Sequence, residues 1–211
     1  MWQPPPKTAL VWTNDEDPID YYYKPIIGYF YRKRIQLVLN LVKHYTFDRL
    51  IDIGYGCGLL FPALSEHAHR LFGLENHGKH AEVRRRMKKI GVDVTLYHGD
   101  LRDLSSLPKN FDAITLVSVL EHIKEIDSAA RELAAIQPRG TMLFCGSPVK
   151  NKITDLIFTL FGFDYEKHHP SSHRAIINAL GKHYRILKLT WFPRFLPLDY
   201  SLYFALSARK K

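Results

Sequence analysis

The residues able to do chemistry sit at the ends of three apolar runs. "LIDIGYGCGLL" (Leu50–Leu60) holds an acid, Asp52, inside an apolar stretch and then glycine at alternate positions, Gly54, Gly56 and Gly58. Glycine lets the backbone reach positive φ and lets a ligand approach without striking a Cβ. The run "GLE" ends on Glu75, where an acid can accept both hydroxyls of a ribose. The run "HGD" ends on Asp100. A carboxylate there can accept from an adenine amino group while the N–H of Leu101 meets the ring, or can act as an ordinary turn residue.

Such groups need a frame that gathers strand ends. From Arg49, "RLIDIG", "RLFGLE", "VDVTLYHGD", "FDAITLVSVL" and "PRGTMLFCGSP" read as five strands. Helices fall between them, in "LLFPALSEHA", 78–90 and 124–136; Pro62 is tolerable only in a first turn. This alternation predicts right-handed crossovers and a parallel, doubly wound sheet. After a helix over 171–181, "YRILKLTWFP" and "LDYSLYFALSA" are joined by a proline-marked turn alone, so they must pair antiparallel. Residues 1–23 read as an irregular arm. Apolar residues at Ile27, Phe30, Ile35, Val38, Leu39 and Val42 predict an amphipathic helix from Ile26 to Tyr45. The expected organisation is therefore an arm and helix (1–45) packed on an α/β domain (46–211), with an insertion around 150–175.

Composition narrows the classes. A chain of 211 residues is long enough to bury a full α/β core. Its two cysteines, Cys57 and Cys145, have no paired spacing, which argues against a disulfide scaffold or zinc site and fits a reducing, cytoplasmic compartment. The start lacks the pattern of a secretory signal. The most apolar stretch, "KPIIGYFYRKRIQLVLNLV", is cut by Arg32, Lys33 and Arg34, so no transmembrane segment is expected. The net charge of +9 suits nucleic acid, anionic lipid or an acidic substrate, or serves solubility alone. Its densest cluster, "RRRMKK", reads as the wet face of a helix, and no basic stripe interleaved with aromatics appears, so nucleic acid is not expected.

The glycine turn must then be assigned a ligand. A dinucleotide fingerprint, G-x-G-x-x-G, would set a pyrophosphate on a helix N-terminus. Here the third glycine comes one residue early, and Leu59 stands where it should be. Asp52 would repel a pyrophosphate and favour an ammonium or sulfonium ion. S-adenosylmethionine (SAM) carries both cations and no phosphate. The competing reading of Asp52 is a carboxylate capping nearby N–H groups.

The series "IDIGYGCG", "GLE", "HGD", "FDAITLVSVLEHI" and "QPRGTMLF" resembles the successive motifs of class I SAM-dependent methyltransferases. The match is to the type-11 group, which acts mostly on small molecules, lipids and sugars, and it covers roughly residues 45–146. The resemblance implies a Rossmann-like, mostly parallel seven-stranded sheet with an antiparallel last strand. It implies that Gly54, Gly56 and Gly58 pass beneath the methionine part of SAM, with Asp52 near its amino group. Glu75 would hold the ribose with Asn76 alongside, Asp100 and Leu101 would frame the adenine, and Val117 and Ser118 would offer main-chain contacts. His122 would face the transferred methyl. Cys57, between the last two glycines, would make binding sensitive to oxidation.

The acceptor should be chosen outside that core. Tyr21, Tyr22 and Tyr23 in the arm either line the mouth of the site or pack as ordinary aromatics. The insertion "NKITDLIFTLFGFDYEKHHPSSHR" has apolar residues at Ile153, Leu156, Ile157, Leu160 and Phe161, which make core packing or a lid over a greasy acceptor. In "HHPSSH", adjacent His168 and His169 give awkward metal geometry and no matched ligand set, so no metal is expected. By the same resemblance His168 is a pocket residue, and His169 or His173 is a base or orienter. Ser171 or Ser172 is equally a helix cap. The expected activity is methyl transfer to a small-molecule, lipid or glycolipid acceptor by direct displacement. The alternatives are a SAM-binding module without catalysis, or an enzyme directed at RNA or protein. Peripheral contact with a membrane is compatible with this reading, and oligomeric state is not legible.

Overall fold

A computed structural model describes residues 1–13, 17–155 and 170–211. Its centre is a seven-stranded sheet: β1 (Phe47–Ile53), β2 (Ala68–Glu75), β3 (Thr95–His98), β4 (Ala113–Val117), β5 (Met142–Pro148), β6 (Tyr184–Phe192) and β7 (Tyr203–Lys210). The strand order is β3-β2-β1-β4-β5-β7-β6. The first five strands pair in parallel, and β7 inserts antiparallel between β5 and β6. This is the Rossmann-like class I methyltransferase arrangement that the sequence led us to expect. The winding reverses between β1 and β4, and a crevice for ligands opens beyond strand ends at such a reversal.

The helices are α1 (Pro25–Val42), α2 (Phe61–Ser65), α3 (His80–Lys89), α4 (Ile126–Ala135) and α5 (His173–His183). Alternation along β1 splits the core between the two sheet faces. Leu50 joins Val38, Val42, Leu64, Val83 and Met87 beneath α1, α2 and α3. Ile51 and Ile53 join Leu133, Ile176 and Leu180 beneath α4 and α5. Asp52 shares the parity of Leu50 and so faces the α1 side.

Helix α2 is shorter than the pattern implied, because β2 already begins at Ala68; Pro62 does sit in its first turn. Of the two candidate caps before α5, Ser172 is the one used, its hydroxyl accepting from the Ala175 N–H at 3.2 Å. The arm is not wholly irregular: it makes short 3-10 turns at Lys7–Ala9 and Ile19–Tyr23. Leu10, Val11 and Ile19 are buried in the core on the α1 side. The basic run of α3 does more than solvate a face. Arg86 Nη1 donates to the carbonyls of Leu10 (2.7 Å) and Thr8 (3.1 Å), and Lys79 Nζ donates to that of Trp12 (2.6 Å). The arm is thereby fastened across the ends of the strands.

Candidate active site

A cavity of about 510 Å³ opens at the reversal point, floored by the loops after β1 and β4 and roofed by the arm and α1. Parallel pairing sets Ile53 level with Leu74 and with Leu116, so the residues that follow, Gly54, Glu75 and Val117, emerge side by side. All of the residues expected to bind the cofactor line this space: Asp52, Gly54, Gly56, Glu75, Asn76, Asp100, Leu101, Val117 and Ser118, with Gly58 behind them as the exception.

The glycines have distinct tasks. Gly54 has φ +76°, and a Cβ there would lie 2.3 Å from Val119 Cγ2, so the turn closes only on glycine. Gly56 has φ +51°, and a Cβ would meet nothing within 4 Å, which leaves open space above its backbone. Gly58, at φ +84°, packs toward Val83, Met87 and Phe61 instead. Glu75 holds this loop in place: Oε2 accepts from the Gly56 N–H at 3.0 Å and Oε1 from the Asn76 N–H at 2.8 Å. His77 donates from Nε2 to the Gly56 carbonyl at 2.9 Å. Ser118 is the described non-glycine residue with positive φ (58°), and its Oγ lies 3.1 Å from the Tyr203 hydroxyl. Such a conformation stores strain and marks a position held for a purpose.

The electrostatics fit a cationic ligand. Asp52 is buried, and burial pushes its carboxyl up to about 7, with the Glu75 charge adding to the rise against a 2.6 Å hydrogen bond from Thr115 Oγ1. It caps no backbone N–H among the hydrogen bonds described. The Arg102 guanidinium on Asp100 holds that carboxyl below the usual range, through Nε (2.9 Å) and Nη2 (2.6 Å). The Arg102 N–H also donates to Asp100 at 2.8 Å, so Asp100 both closes a turn and faces the cavity. Cys57 lines the cavity, and burial pushes its thiol up to about 12, which disfavours the thiolate that the expected sensitivity to oxidation would use.

Neither Arg34 nor Glu121 was given a side-chain role from the sequence, although the stretch 119–123 was expected to wall the site. Arg34, on α1, is the only Lys or Arg that lines the cavity among the described residues. Its Nη2 donates to the Tyr22 hydroxyl at 2.6 Å, its guanidinium lies 4.3 Å from the Tyr31 ring centre, and its Nε is buried without a partner. The Glu121 side chain is buried, Oε2 accepts from Ser147 Oγ at 3.0 Å, Oε1 has no partner, and burial raises its carboxyl pKa. The signal for Arg34 was its phase, since Ile27, Tyr31, Arg34, Ile35 and Val38 form one helical stripe.

The cavity therefore offers carboxylates for cations, one guanidinium for one carboxylate, and a bare backbone between them. A pyrophosphate would meet Asp52 and Glu75 with no cation beside the glycines; SAM, with its ammonium, sulfonium and single carboxylate, matches the donors present. Residues 51–145 match the family model described as "Methyltransferase domain", of type 11. Over this stretch the chain resembles a class I SAM-dependent methyltransferase domain.

The chain is similar to the ubiquinone biosynthesis O-methyltransferase of Methylocella silvestris, at 26% identity over 118 residues, 56% of this chain and 46% of that protein. The enzyme of the same name from Coxiella burnetii is 25% identical over 118 residues, 55% of this chain and 50% of that one. The chain thus spans about half the length of the curated relatives it matches. Among solved structures, the N-methyltransferase NodS from Bradyrhizobium japonicum with S-adenosyl-L-homocysteine superposes with a TM-score of 0.69 at 16% identity, over 94% of each chain. Magnesium protoporphyrin IX methyltransferase from Synechocystis gives 0.67 at 17% identity, over 94% of this chain and 89% of that one. At these identities the superpositions establish the shared methyltransferase fold.

The residues expected on the acceptor side fare unevenly. His122 ends a short 3-10 turn (Leu120–His122) and lines the cavity. Of the three arm tyrosines only Tyr22 lines it. Tyr21 packs against Tyr31 with ring centres 5.3 Å apart, and Tyr23 donates its hydroxyl to the Pro5 carbonyl at 2.6 Å. The 3-10 turn at Ile19–Tyr23 points consecutive residues about 120° apart, so three neighbours cannot share one wall. His173 is not brought to the cavity either. It is buried at the first residue of α5, where Nε2 bonds Asp199 at 2.8 Å, and Arg174 takes the same carboxylate. Its role is to tie α5 to the turn before β7. His168, His169 and most of the apolar insertion lie outside the described residues. No group of three or more metal-ligating side chains gathers among the described residues.

Proposed function

We propose that the protein transfers a methyl group from SAM to a small-molecule or lipid-like acceptor by direct displacement. The observation that carries this reading is the pairing, in one cavity, of the glycine cradle and its carboxylates with a single guanidinium on the opposite wall. SAM supplies an activated methyl on a good leaving group, so the protein's work is alignment and exclusion of water.

In this reading Asp52 faces the ammonium, Glu75 the ribose, and Asp100 with Leu101 the adenine, while Arg34 holds the carboxylate. Asn76 lies beside the ribose, and Val117 and Ser118 present main chain to the methionine end. Tyr22, Val119, His122 and Ile123 wall the remaining space for the acceptor. A hydroxyl acceptor must lose a proton, and Glu121 and His122 are the cavity groups suited to take it. The similarity to proteins named O-methyltransferases favours such a hydroxyl acceptor. The two cysteines, both free and buried, suit the cytoplasm.

Calorimetry with SAM and S-adenosylhomocysteine, followed by a methyl-donor assay against extracted metabolites and lipids, tests the proposal. Micromolar binding with label appearing in an extract component is the expected result; absence of binding ends it. Glu75→Ala should weaken S-adenosylhomocysteine more than tenfold, because it removes a ribose acceptor and releases the Gly56 and Asn76 N–H groups together. Unchanged calorimetric affinity in the folded variant would refute the ribose assignment.

A further inference from the structure

Beyond the cavity, the outer face of α1 carries a second feature that methyl transfer does not use. Ile26, Tyr29, Phe30 and Lys33 fall at helix spacings of three and four, so they share one stripe. The apolar three point outward: Ile26 is 81% exposed, Phe30 46% and Tyr29 39%. The end of β6 extends this stripe. Phe192 lies 6.1 Å from Tyr29 and 6.2 Å from Phe30 between ring centres, and Lys33 Nζ stands 5.7 Å from the Phe192 ring. The turn that follows Phe192 presents Phe195, at 85% the most exposed large apolar side chain described.

An isolated exposed apolar residue needs no explanation, but a contiguous aromatic patch does. Its charges say what covers it. Residues 21–47 and 184–198, the two segments that build the face, contain no Asp or Glu, whereas Lys24, Lys33 and Arg194 stand beside its apolar residues in the chain. Aromatic and aliphatic side chains flanked by Lys and Arg are the composition of a surface that seats at an anionic lipid interface. The face also shares its helix with the cavity, since Tyr31, Arg34 and Ile35 line the site from the next turns of α1.

We propose that this face, formed by Ile26, Tyr29, Phe30, Phe192 and Phe195 with Lys24, Lys33 and Arg194, docks the protein on an anionic membrane surface. The apolar side chains enter the headgroup region and the cations meet lipid phosphates. This stands apart from the methyltransferase reading, because lipid binding is measured without cofactor or acceptor.

The test is co-sedimentation of the full chain with phosphatidylcholine vesicles, with and without phosphatidylglycerol, at low and physiological salt. The wild type should partition onto the anionic vesicles and weakly onto the neutral ones. The variant Ile26→Ser/Phe30→Ser/Phe195→Ser should bind anionic vesicles about tenfold less or weaker, even at low salt. Lys24→Gln/Lys33→Gln/Arg194→Gln should lose on the order of a hundredfold and with it the preference for anionic lipid, at roughly a factor of five per charge. All these side chains are at the surface, and circular dichroism with S-adenosylhomocysteine calorimetry checks that each variant folds. Failure of the wild type to bind anionic vesicles overturns the proposal. So does binding that survives the apolar substitutions, or a concentration-dependent dimer that the same substitutions abolish in the absence of vesicle binding.

Discussion

Arg34→Gln should weaken S-adenosylhomocysteine by roughly tenfold to a hundredfold while leaving methylthioadenosine, which lacks the amino-acid end, almost unchanged. The range follows from a charge-assisted hydrogen bond of about 1.5–3 kcal/mol. Arginine stays charged at any working pH. Its burial beside the Tyr31 ring, with only the Tyr22 hydroxyl recorded as a partner for its Nη2 and none for Nε, leaves donor capacity facing the cavity. A ligand carboxylate completes that set. Glutamine keeps the bond to Tyr22 within reach and removes the charge, so the comparison isolates the ionic part. Equal losses for the two ligands would show that Arg34 only shapes the wall, and the carboxylate would need another partner.

What the sequence disclosed and what it withheld have physical reasons. The strand ends were legible because parallel strands buried on both faces read as continuous apolar runs. An acid or a glycine closing such a run is then conspicuous, as at Asp52, Gly54, Glu75 and Asp100. The antiparallel end of the sheet followed from a connection between β6 and β7 too short for a crossover. Arg34 was hidden by its neighbours. In "YRKRIQ" three bases stand together, and only the helical phase says that Arg34 points inward while Lys33 leans on Phe192. The stretch 119–123 was expected at the wall of the site, but which of its side chains turns inward was not legible, because a 3-10 turn carries no periodicity to mark that side. The histidines drew attention by their chemistry, yet His173 spends its ring on Asp199, a residue 26 positions away that no local pattern links to it.

Asp52→Asn should separate stability from binding. In the folded protein the Asp52 carboxyl sits at about 7, against about 4 in an unfolded chain. The folded state therefore holds the proton more tightly, and stability falls as pH rises through that interval. The cost is absent below about pH 4 and complete above about pH 7, at most on the order of 4 kcal/mol for a shift of this size. Asparagine removes the cost and can still accept from Thr115 Oγ1, so chemical denaturation near pH 8 should find the variant more stable than wild type, with the difference vanishing toward about pH 4. Binding should move the other way. A ligand ammonium beside Asp52 favours the ionised form, so wild-type affinity for S-adenosylhomocysteine should climb from about pH 6 to 7.5, with a proton released on binding. The variant should bind at least about tenfold more weakly at pH 7.5 and lose that part of the pH dependence. Calorimetry in buffers of different ionisation enthalpy counts the proton directly. A variant that gains stability yet binds as well as wild type would mean that the buried carboxylate faces no cation, and the electrostatic case for this cofactor over a dinucleotide would fall with it.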